Sequence, residues 1–134
     1  MNFLVDTSAY TLATRHHPVI ERRFAEANDL YMNVIALGEL RYGYLKGTRT
    51  EQNEKHLQDF LSQRRVHTLG IDDDTTRFYA RIRRDLSAEG ITVDDNDLWI
   101  AASAMQHGLC ILTADTDFQK IPQVMVELIT SESV

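Results

Sequence analysis

The chain opens with Phe3-Leu4-Val5-Asp6-Thr7-Ser8, in which a short apolar run ends at a carboxylate and a helix can begin at once. An apolar run of this length is typical of a buried strand. The same order returns at Leu109-Cys-Ile-Leu-Thr113, which Asp115 follows closely. Strands that end at acidic residues indicate a site beyond the carboxyl ends of a parallel sheet.

Strands and helices alternate along the rest of the chain. Five strands are predicted, at residues 2–5, 30–33, 66–69, 109–113 and 124–128. Six helices are predicted, at residues 8–14, from Pro18, at 34–46, at 51–64, from Asp72 to Gly90 and at 95–107. This alternation predicts an α/β fold with a parallel sheet covered by helices on both faces. We expect one domain over residues 1–134, a length that suits a single core.

The composition is that of an ordinary soluble protein, with 43% hydrophobic and 25% charged residues. No apolar run is long enough to span a membrane, and the first residues do not resemble a signal peptide. Cys110 is the only cysteine, and we expect it to be a buried, inert thiol. Together these features predict a cytoplasmic protein that does not bind a membrane.

The net charge of −6 argues against binding nucleic acid through bulk positive charge. It does not argue against a nuclease, because metal can neutralise carboxylates in one cleft while arginines stay at its rim. The basic residues do cluster, at residues 22–23, 41–49, 64–65 and 77–84. For any single cluster, a solvated helix face is the simpler interpretation.

Four acidic residues stand where folding alone does not call for a carboxylate: Asp6, Glu39, Asp97 and Asp115. Asp6 and Asp115 follow predicted strands, at the edge where α/β sheets bind ligands. Glu39 lies among apolar helix residues, and no basic residue lies one helical turn away from it. If the four converge, their mutual repulsion requires a divalent cation to relieve it.

Each of these residues also has a structural interpretation. Asp6 can cap a helix, and Asp97 can be the third residue of a helix that Asp94 caps. Glu39 can be an ordinary exposed helix residue, and Gly38 beside it permits another backbone to approach closely.

The acidic segment after the fourth predicted strand reads Thr113-Ala-Asp-Thr-Asp-Phe118. Asp-rich turns are common after strands, so a plain loop is the alternative here. Asp115 lies closer to the strand end than Asp117 and is the stronger candidate. Thr113 can supply a hydroxyl to a carboxylate or to a metal-bound water.

Other chemistries fit the sequence less well. The five histidines show no metal-ligand spacing, and there is no Gly-rich phosphate loop or nucleophile elbow. A haloacid-dehalogenase-like phosphatase needs a second Asp two residues after the first, where this chain has Ser8. A response-regulator receiver needs an acidic pair after its first strand, and Asp6-Thr7 is not one.

Four short motifs, taken in order and at these separations, resemble PIN-domain ribonucleases, and specifically VapC-type toxins of type II toxin–antitoxin pairs. They are Phe3-Leu-Val-Asp-Thr-Ser8, Gly38-Glu-Leu-Arg-Tyr-Gly43, Asn96-Asp-Leu-Trp-Ile-Ala-Ala102 and Leu112-Thr-Ala-Asp-Thr-Asp-Phe118. Each motif is unspecific alone, but together they run nearly end to end. The resemblance implies a single PIN domain with a five-stranded parallel sheet and acidic residues gathered at one end.

Carried over residue by residue, the resemblance implies a catalytic quartet of Asp6, Glu39, Asp97 and Asp115. The metal ligands would be Asp6, Asp97 and Asp115. Thr7 and Thr113 would be supporting polar residues, and Asp117 would replace or assist Asp115. Apart from the resemblance, Asp94 is a helix cap that can also support the site, and the basic residues Arg41 and Lys46 are candidates for contacts with the RNA backbone.

The resemblance also implies cofactors and partners. Mg²⁺, which Mn²⁺ can replace, would support cleavage of single-stranded regions of RNA. A cognate antitoxin and a second copy of the chain would be the protein partners, and DNA would be met only through the antitoxin. The non-enzymatic alternative is a PIN-like module that acts only in its antitoxin complex on DNA, and the intact quartet speaks against it.

Overall fold

A computed structural model describes residues 1–130 of the chain, so residues 131–134 of the predicted domain lie outside the described part. The strands are β1 (Phe3–Val5), β2 (Leu30–Asn33), β3 (Val66–Leu69), β4 (Cys110–Thr113) and β5 (Met125–Leu128). The α-helices are α1 (Thr7–Thr14), α2 (Pro18–Glu26), α3 (Val34–Lys46), α4 (Thr50–Leu61), α5 (Asp73–Ala88) and α6 (Asp95–His107). A 3₁₀-helix, Thr116–Lys120, lies between β4 and β5.

All five strands pair in parallel, in the order β3-β2-β1-β4-β5. Phe3 of β1 is level with Leu30 on one side and with Cys110 on the other. The chain therefore builds outwards from β1 through β2 to β3, and then returns to the other side of β1 for β4 and β5. This confirms the predicted α/β fold, and it places the switch in strand order between β1 and β4, where open sheets bind ligands.

The two central strands form the middle of the core. Every residue of β1 and of β4 is buried, as a sheet covered on both faces requires. The helices contribute inner stripes, among them Leu57 of α4 and Ile82 and Leu86 of α5, which are almost fully buried. Within residues 1–130, no helix combines the length and the apolar composition that crossing a bilayer demands.

Local sequence signals explain most of the element ends. Pro18 starts α2 at its first turn. Asp72 and Thr75 form a reciprocal capping box at the start of α5. One predicted boundary is wrong, because α4 ends at Leu61 and not at residue 64. The chain must turn there, since the guanidinium of Arg65 donates to backbone carbonyls at the end of α2.

The expectation that Gly38 permits a close backbone approach is wrong. A methyl group at this position would meet no atom within 4 Å, and Gly38 is exposed on α3. Gly108 differs, because it ends α6 with a φ of 64°, in the left-handed region that L residues rarely adopt.

Alanine at these two glycines should therefore have opposite effects on stability. Gly38→Ala adds helix propensity without a clash and should raise the free energy of unfolding by about 0.5–1 kcal/mol. Gly108→Ala forces a side chain into the left-handed region and should lower it by about 1 kcal/mol. Urea denaturation of both variants checks this, and a destabilised Gly38→Ala protein would contradict the exposed position of Gly38.

Candidate active site

Asp6 is the most buried carboxylate of the candidate site, with 3% of its surface exposed. It caps α1 by accepting a hydrogen bond from the backbone N–H of Ala9 at 2.9 Å. It also accepts from the hydroxyl of Ser8 at 2.8 Å and from that of Thr113 at 2.5 Å. The predicted cap is confirmed, and the Asp6 carboxylate joins the end of β1 to the end of β4.

The two hydroxyls that bond Asp6 also hold the segment after β4. The Thr113 hydroxyl accepts from the backbone N–H of Asp115, and the Ser8 hydroxyl accepts from that of Ala114, both at 2.9 Å. These bonds fix where the Asp115 side chain starts. Burial raises the pKa of Asp6 above its usual range, and the hydrogen bonds from Thr113, Ala9 and Ser8 counteract only part of that rise.

Asp97 occupies the third position of α6, as predicted, and Asp94 caps the helix by accepting from the N–H of Asn96. Burial, which is the largest cause, and the negative charges of four neighbours together raise the pKa of Asp97 to about 7. In order of size, these neighbours are Asp115, Asp94, Glu39 and Asp6. Ionised Asp97 is therefore destabilised both by burial and by the charges of its neighbours.

Glu39 reaches the same cluster from α3. Its carboxylate accepts a hydrogen bond from the side-chain amide of Asn96 at 3.3 Å. Burial raises the pKa of Glu39, and Asp94, Asp6 and Asp115 raise it further. The charge of Asp115 contributes to the raised pKa of Asp6, of Glu39 and of Asp97, so the four predicted acidic residues lie close together although they are far apart in the sequence.

Asp115 and Asp117 belong to a turn for which a plain loop was the alternative to a functional role. Asp115 caps the 3₁₀-helix by accepting from the N–H of Asp117 at 2.9 Å. This tight turn brings both side chains to the cluster. One carboxylate oxygen each of Asp97, Asp115 and Asp117 lies within 4.8 Å of the other two.

These three oxygens suit a small hard cation. Two ligands on opposite sides of a Mg²⁺ ion lie about 4 Å apart, so only small movements would let the three carboxylates share one ion. The group differs from the predicted ligands in one member, since Asp117 stands where Asp6 was expected. Asp6 as a ligand stays a prediction, and its oxygens already accept hydrogen bonds from three protein donors, the hydroxyls of Ser8 and Thr113 and the backbone N–H of Ala9.

The predicted rim cations make contacts of their own. Arg41 forms a two-pronged ion pair with Glu54 of α4, with both N···O distances at 3.1 Å. The ammonium of Lys46 lies 4.7 Å from the centre of the Tyr42 ring. Contact of either residue with RNA stays a prediction, and Arg41 would have to share its charge with Glu54.

Two residues that shape the site were not among those predicted. Ser8, and not the neighbouring Thr7, supplies the hydroxyl that bonds Asp6, while Thr7 lines an adjacent cleft. Asn96 holds the Glu39 carboxylate. A signal existed for both, because Ser8 lies two residues after a capping Asp and Asn96 directly precedes Asp97.

With this geometry established, similarity to known proteins becomes informative. Residues 3–124 match the PIN domain, which covers most of the chain. The chain belongs to the PIN-domain family. Within that family it is similar to ribonuclease VapC4 of Mycobacterium tuberculosis, with 38% identity over 125 residues that make up 92% of this chain and 93% of the relative. The predicted family and fold are confirmed.

Solved structures of PIN-domain complexes agree with this. VapBC2 from Rickettsia felis, bound to a DNA fragment from its promoter, superimposes with a TM-score of 0.86 at 28% identity, covering 96% of this chain and 99% of that one. VapBC-5 from Mycobacterium tuberculosis, a member of the VapBC family of toxin-antitoxin systems, gives a TM-score of 0.68 at 31% identity, covering 96% and 98%.

Crowding of the carboxylates should make stability depend on pH through Asp97. Its pKa is about 7 in the folded protein and near 3.8 in the unfolded chain, so the folded state binds the proton more tightly. Stability is therefore lost as pH rises from about 4, and the loss is complete above about 7. In EDTA, Asp97→Asn should melt several degrees above the parent protein at pH 8 and close to it at pH 4.

Thermal unfolding of both proteins across this pH range tests the expectation. Adding Mg²⁺ at pH 8 should narrow the difference, because the ion stabilises only a cluster that retains all its carboxylates. A difference in melting temperature that is the same at every pH would show that ionisation of Asp97 does not lower the stability of the fold.

Proposed function

We propose that this chain is a metal-dependent endoribonuclease that cleaves single-stranded regions of RNA. The observation that carries the proposal is the group of three carboxylate oxygens, from Asp97, Asp115 and Asp117, at the carboxyl edge of a PIN-domain sheet. Hard oxygen ligands of this kind suit Mg²⁺ or Mn²⁺. The name of the VapC4 relative, a ribonuclease, supports RNA as the substrate.

Each acidic residue has a distinct role in this proposal. Asp97 and Asp115 hold the ion, and Asp117 or Asp6 completes the set. When bound, the ion lowers the pKa of a coordinated water and neutralises charge around the scissile phosphate. Asp6 also links α1 to β4, because it accepts hydrogen bonds from Ser8 and from Thr113.

Glu39 and its neighbours define the other wall of the site. Asn96 fixes the Glu39 carboxylate from α6, so α3 and α6 meet across the cluster. Because its pKa is raised, the Glu39 carboxyl holds a proton more readily than a glutamate in free solution does. With an ion bound by the aspartates, Glu39 would be ionised and would add its negative charge to the surroundings of the ion.

We further propose that the chain is the toxin of a type II pair. The VapBC structures that it resembles are complexes, one of them described as a member of a toxin-antitoxin family and another bound to promoter DNA. By analogy, a cognate antitoxin would silence this chain and carry it to DNA, a second copy would form a homodimer, and the pair would act in the cytoplasm.

The proposal predicts metal-dependent cleavage of RNA. Purified protein, free of antitoxin, should cut total cellular RNA into discrete bands with Mg²⁺ or Mn²⁺, and EDTA should abolish the bands. Asp6→Asn should reduce cleavage to background, because the buried carboxylate at the centre of the site loses its charge.

Folding should survive Asp6→Asn. The amide oxygen of Asn can still accept from the N–H of Ala9, so the cap of α1 persists, and one repulsive charge is gone. The melting temperature should be equal to that of the parent or higher. Asp74→Asn, an exposed change in the first turn of α5, is the matched control and should cleave normally. Full activity of the Asp6→Asn protein would overturn the assignment.

The three-oxygen group makes a separate prediction about metal affinity. Asp115→Asn and Asp117→Asn should each weaken Mn²⁺ binding by about tenfold or more. Isothermal titration calorimetry measures this, as does the electron paramagnetic resonance signal of free Mn²⁺, which decreases as the ion binds. Replacing Lys120, which pairs with Asp117 at 3.0 Å, should leave binding intact or improve it. Undiminished Mn²⁺ binding by Asp117→Asn would remove Asp117 from the ligand set.

The alternative is a PIN-like module that acts only through its antitoxin complex on DNA. It predicts that no divalent ion binds and that no RNA is cut by folded protein in any metal. Burial and neighbouring carboxylates raise the pKa of Asp97, Glu39 and Asp6, and this favours the enzyme, because a binding module has no use for buried, clustered carboxylates that destabilise its fold.

A further inference from the structure

Two adjoining clefts run along α1 from the acidic site. The first, of about 390 Å³, is lined by Thr7, Ser8, Thr11, Leu12, Arg15 and Ala114. Ser8 bonds Asp6, and Ala114 directly precedes Asp115, so this cleft begins at the acidic cluster. Its other end is Arg15, eight residues and therefore about 12 Å along the helix from Thr7.

The second cleft, of about 360 Å³, continues from there. It shares Thr11 and Arg15 with the first cleft and adds polar groups from α3 and α4, among them Arg49, Asn53 and His56. We call the two clefts together the α1 groove. Of the described residues that line it, none is acidic, in a chain where Asp and Glu outnumber Lys and Arg by 20 to 14.

Six arginines within residues 1–130 pair with no carboxylate: the two of the α1 groove, and Arg22, Arg64, Arg65 and Arg81 elsewhere. Within residues 1–130, no carboxylate pairs with Arg15 or Arg49, and Arg49 donates only to the side-chain oxygen of Gln52. By contrast, ion pairs occupy Arg23, Arg41, Arg77, Arg83 and Arg84. An unpaired guanidinium retains its full capacity to bind phosphate.

The sequence of α1 is hard to explain by folding alone. Thr7, Thr11 and Thr14 take up three of its eight positions, although threonine is a poor helix former. Residues at this spacing share one helix face, and all three threonines line the α1 groove, although the Thr14 hydroxyl donates to the backbone carbonyl of Thr11. Hydroxyls and arginines are the side chains that position the sugar–phosphate backbone of nucleic acids.

We infer that the α1 groove carries the phosphodiester backbone of single-stranded RNA away from the acidic cluster, with Arg15 and Arg49 contacting phosphates. The inference rests on the proposed ribonuclease function and adds the path of the substrate to it. It also assigns the backbone contacts to arginines without partners, whereas Arg41 is bound to Glu54.

Salt-dependent binding tests the α1 groove directly. The probe is a fluorescein-labelled twelve-nucleotide oligouridylate, and its anisotropy is followed over a range of KCl concentrations, with Asp6→Asn as the parent so that no cleavage occurs. Arg15→Gln and Arg49→Gln should each weaken binding and reduce the slope of log K against log [KCl] by about 0.7, and their effects should add. Arg64→Gln is the matched control. It changes an exposed arginine just before β3, at the amino ends of the parallel strands, whereas the acidic cluster lies at their carboxyl ends. The slope should stay unchanged.

A cross-linking experiment does not depend on the stability of the arginine variants. The native Cys110 is buried, so a cysteine placed at Thr11 can be labelled selectively with a photo-reactive group. Thr11→Cys should cross-link to the oligouridylate, whereas Ala25→Cys, exposed on α2, should not. No cross-link from Thr11→Cys, or unchanged slopes for both arginine variants, would overturn the inference.

The outcomes separate this inference from the proposed function. If the wild-type protein cleaves cellular RNA but the arginine variants keep the parent slope, the α1 groove is not the path and the nuclease stands. If the slopes fall as expected but no RNA is cut in any metal, the groove stands and the nuclease fails. Variants that bind RNA normally but lose a co-expressed antitoxin would identify the groove as a protein-binding face and overturn the inference.

Discussion

Repulsion among carboxylates at the carboxyl edge of the sheet is the constraint that the rest of the site accommodates. Asp6 and Asp97 meet it in different ways. Asp6 is the more buried, but two hydroxyls and a backbone N–H donate to it and offset part of the cost of burial. For Asp97, burial and neighbouring charge together raise the pKa to about 7. Hydrogen bonds therefore secure the carboxylate that organises the fold, and the proposed cation would secure the others.

The parallel topology explains why residues so distant in sequence share this edge. Strands β1, β2 and β4 each end there, and α1, α3 and α6 begin where those strands end or nearby. Asp6, Asn33 and Asp94 cap the three helices. The positive ends of the helix dipoles thus lie beside the acidic cluster and moderate its repulsion, each by about 0.3–1 kcal/mol.

Much of this could be predicted from sequence because short-range signals decide it. Apolar runs followed by helix caps gave the strands, and a parallel sheet then forces Asp6 and Asp115 to one edge. The parts that could not be predicted depend on side-chain geometry across elements. Whether Ser8 or Thr7 bonds Asp6 is set by the first turn of α1, and the nearness of Asp117 by a 3₁₀-helix that has no periodic signal. The partner of Arg41 required the packing of α3 on α4.

Net charge is a further property from which binding cannot be predicted, because it averages over surfaces that act separately. Charges on a protein surface are largely screened beyond about 8 Å at physiological ionic strength. A net charge of −6 spread over the molecule therefore has little effect in a groove that contains no acidic side chain. Ion pairs elsewhere consume arginines that a sequence count treats as available, such as Arg23, which pairs with Glu127. An acidic protein can in this way bind a polyanion, provided that unpaired arginines line the path that leads to its carboxylates.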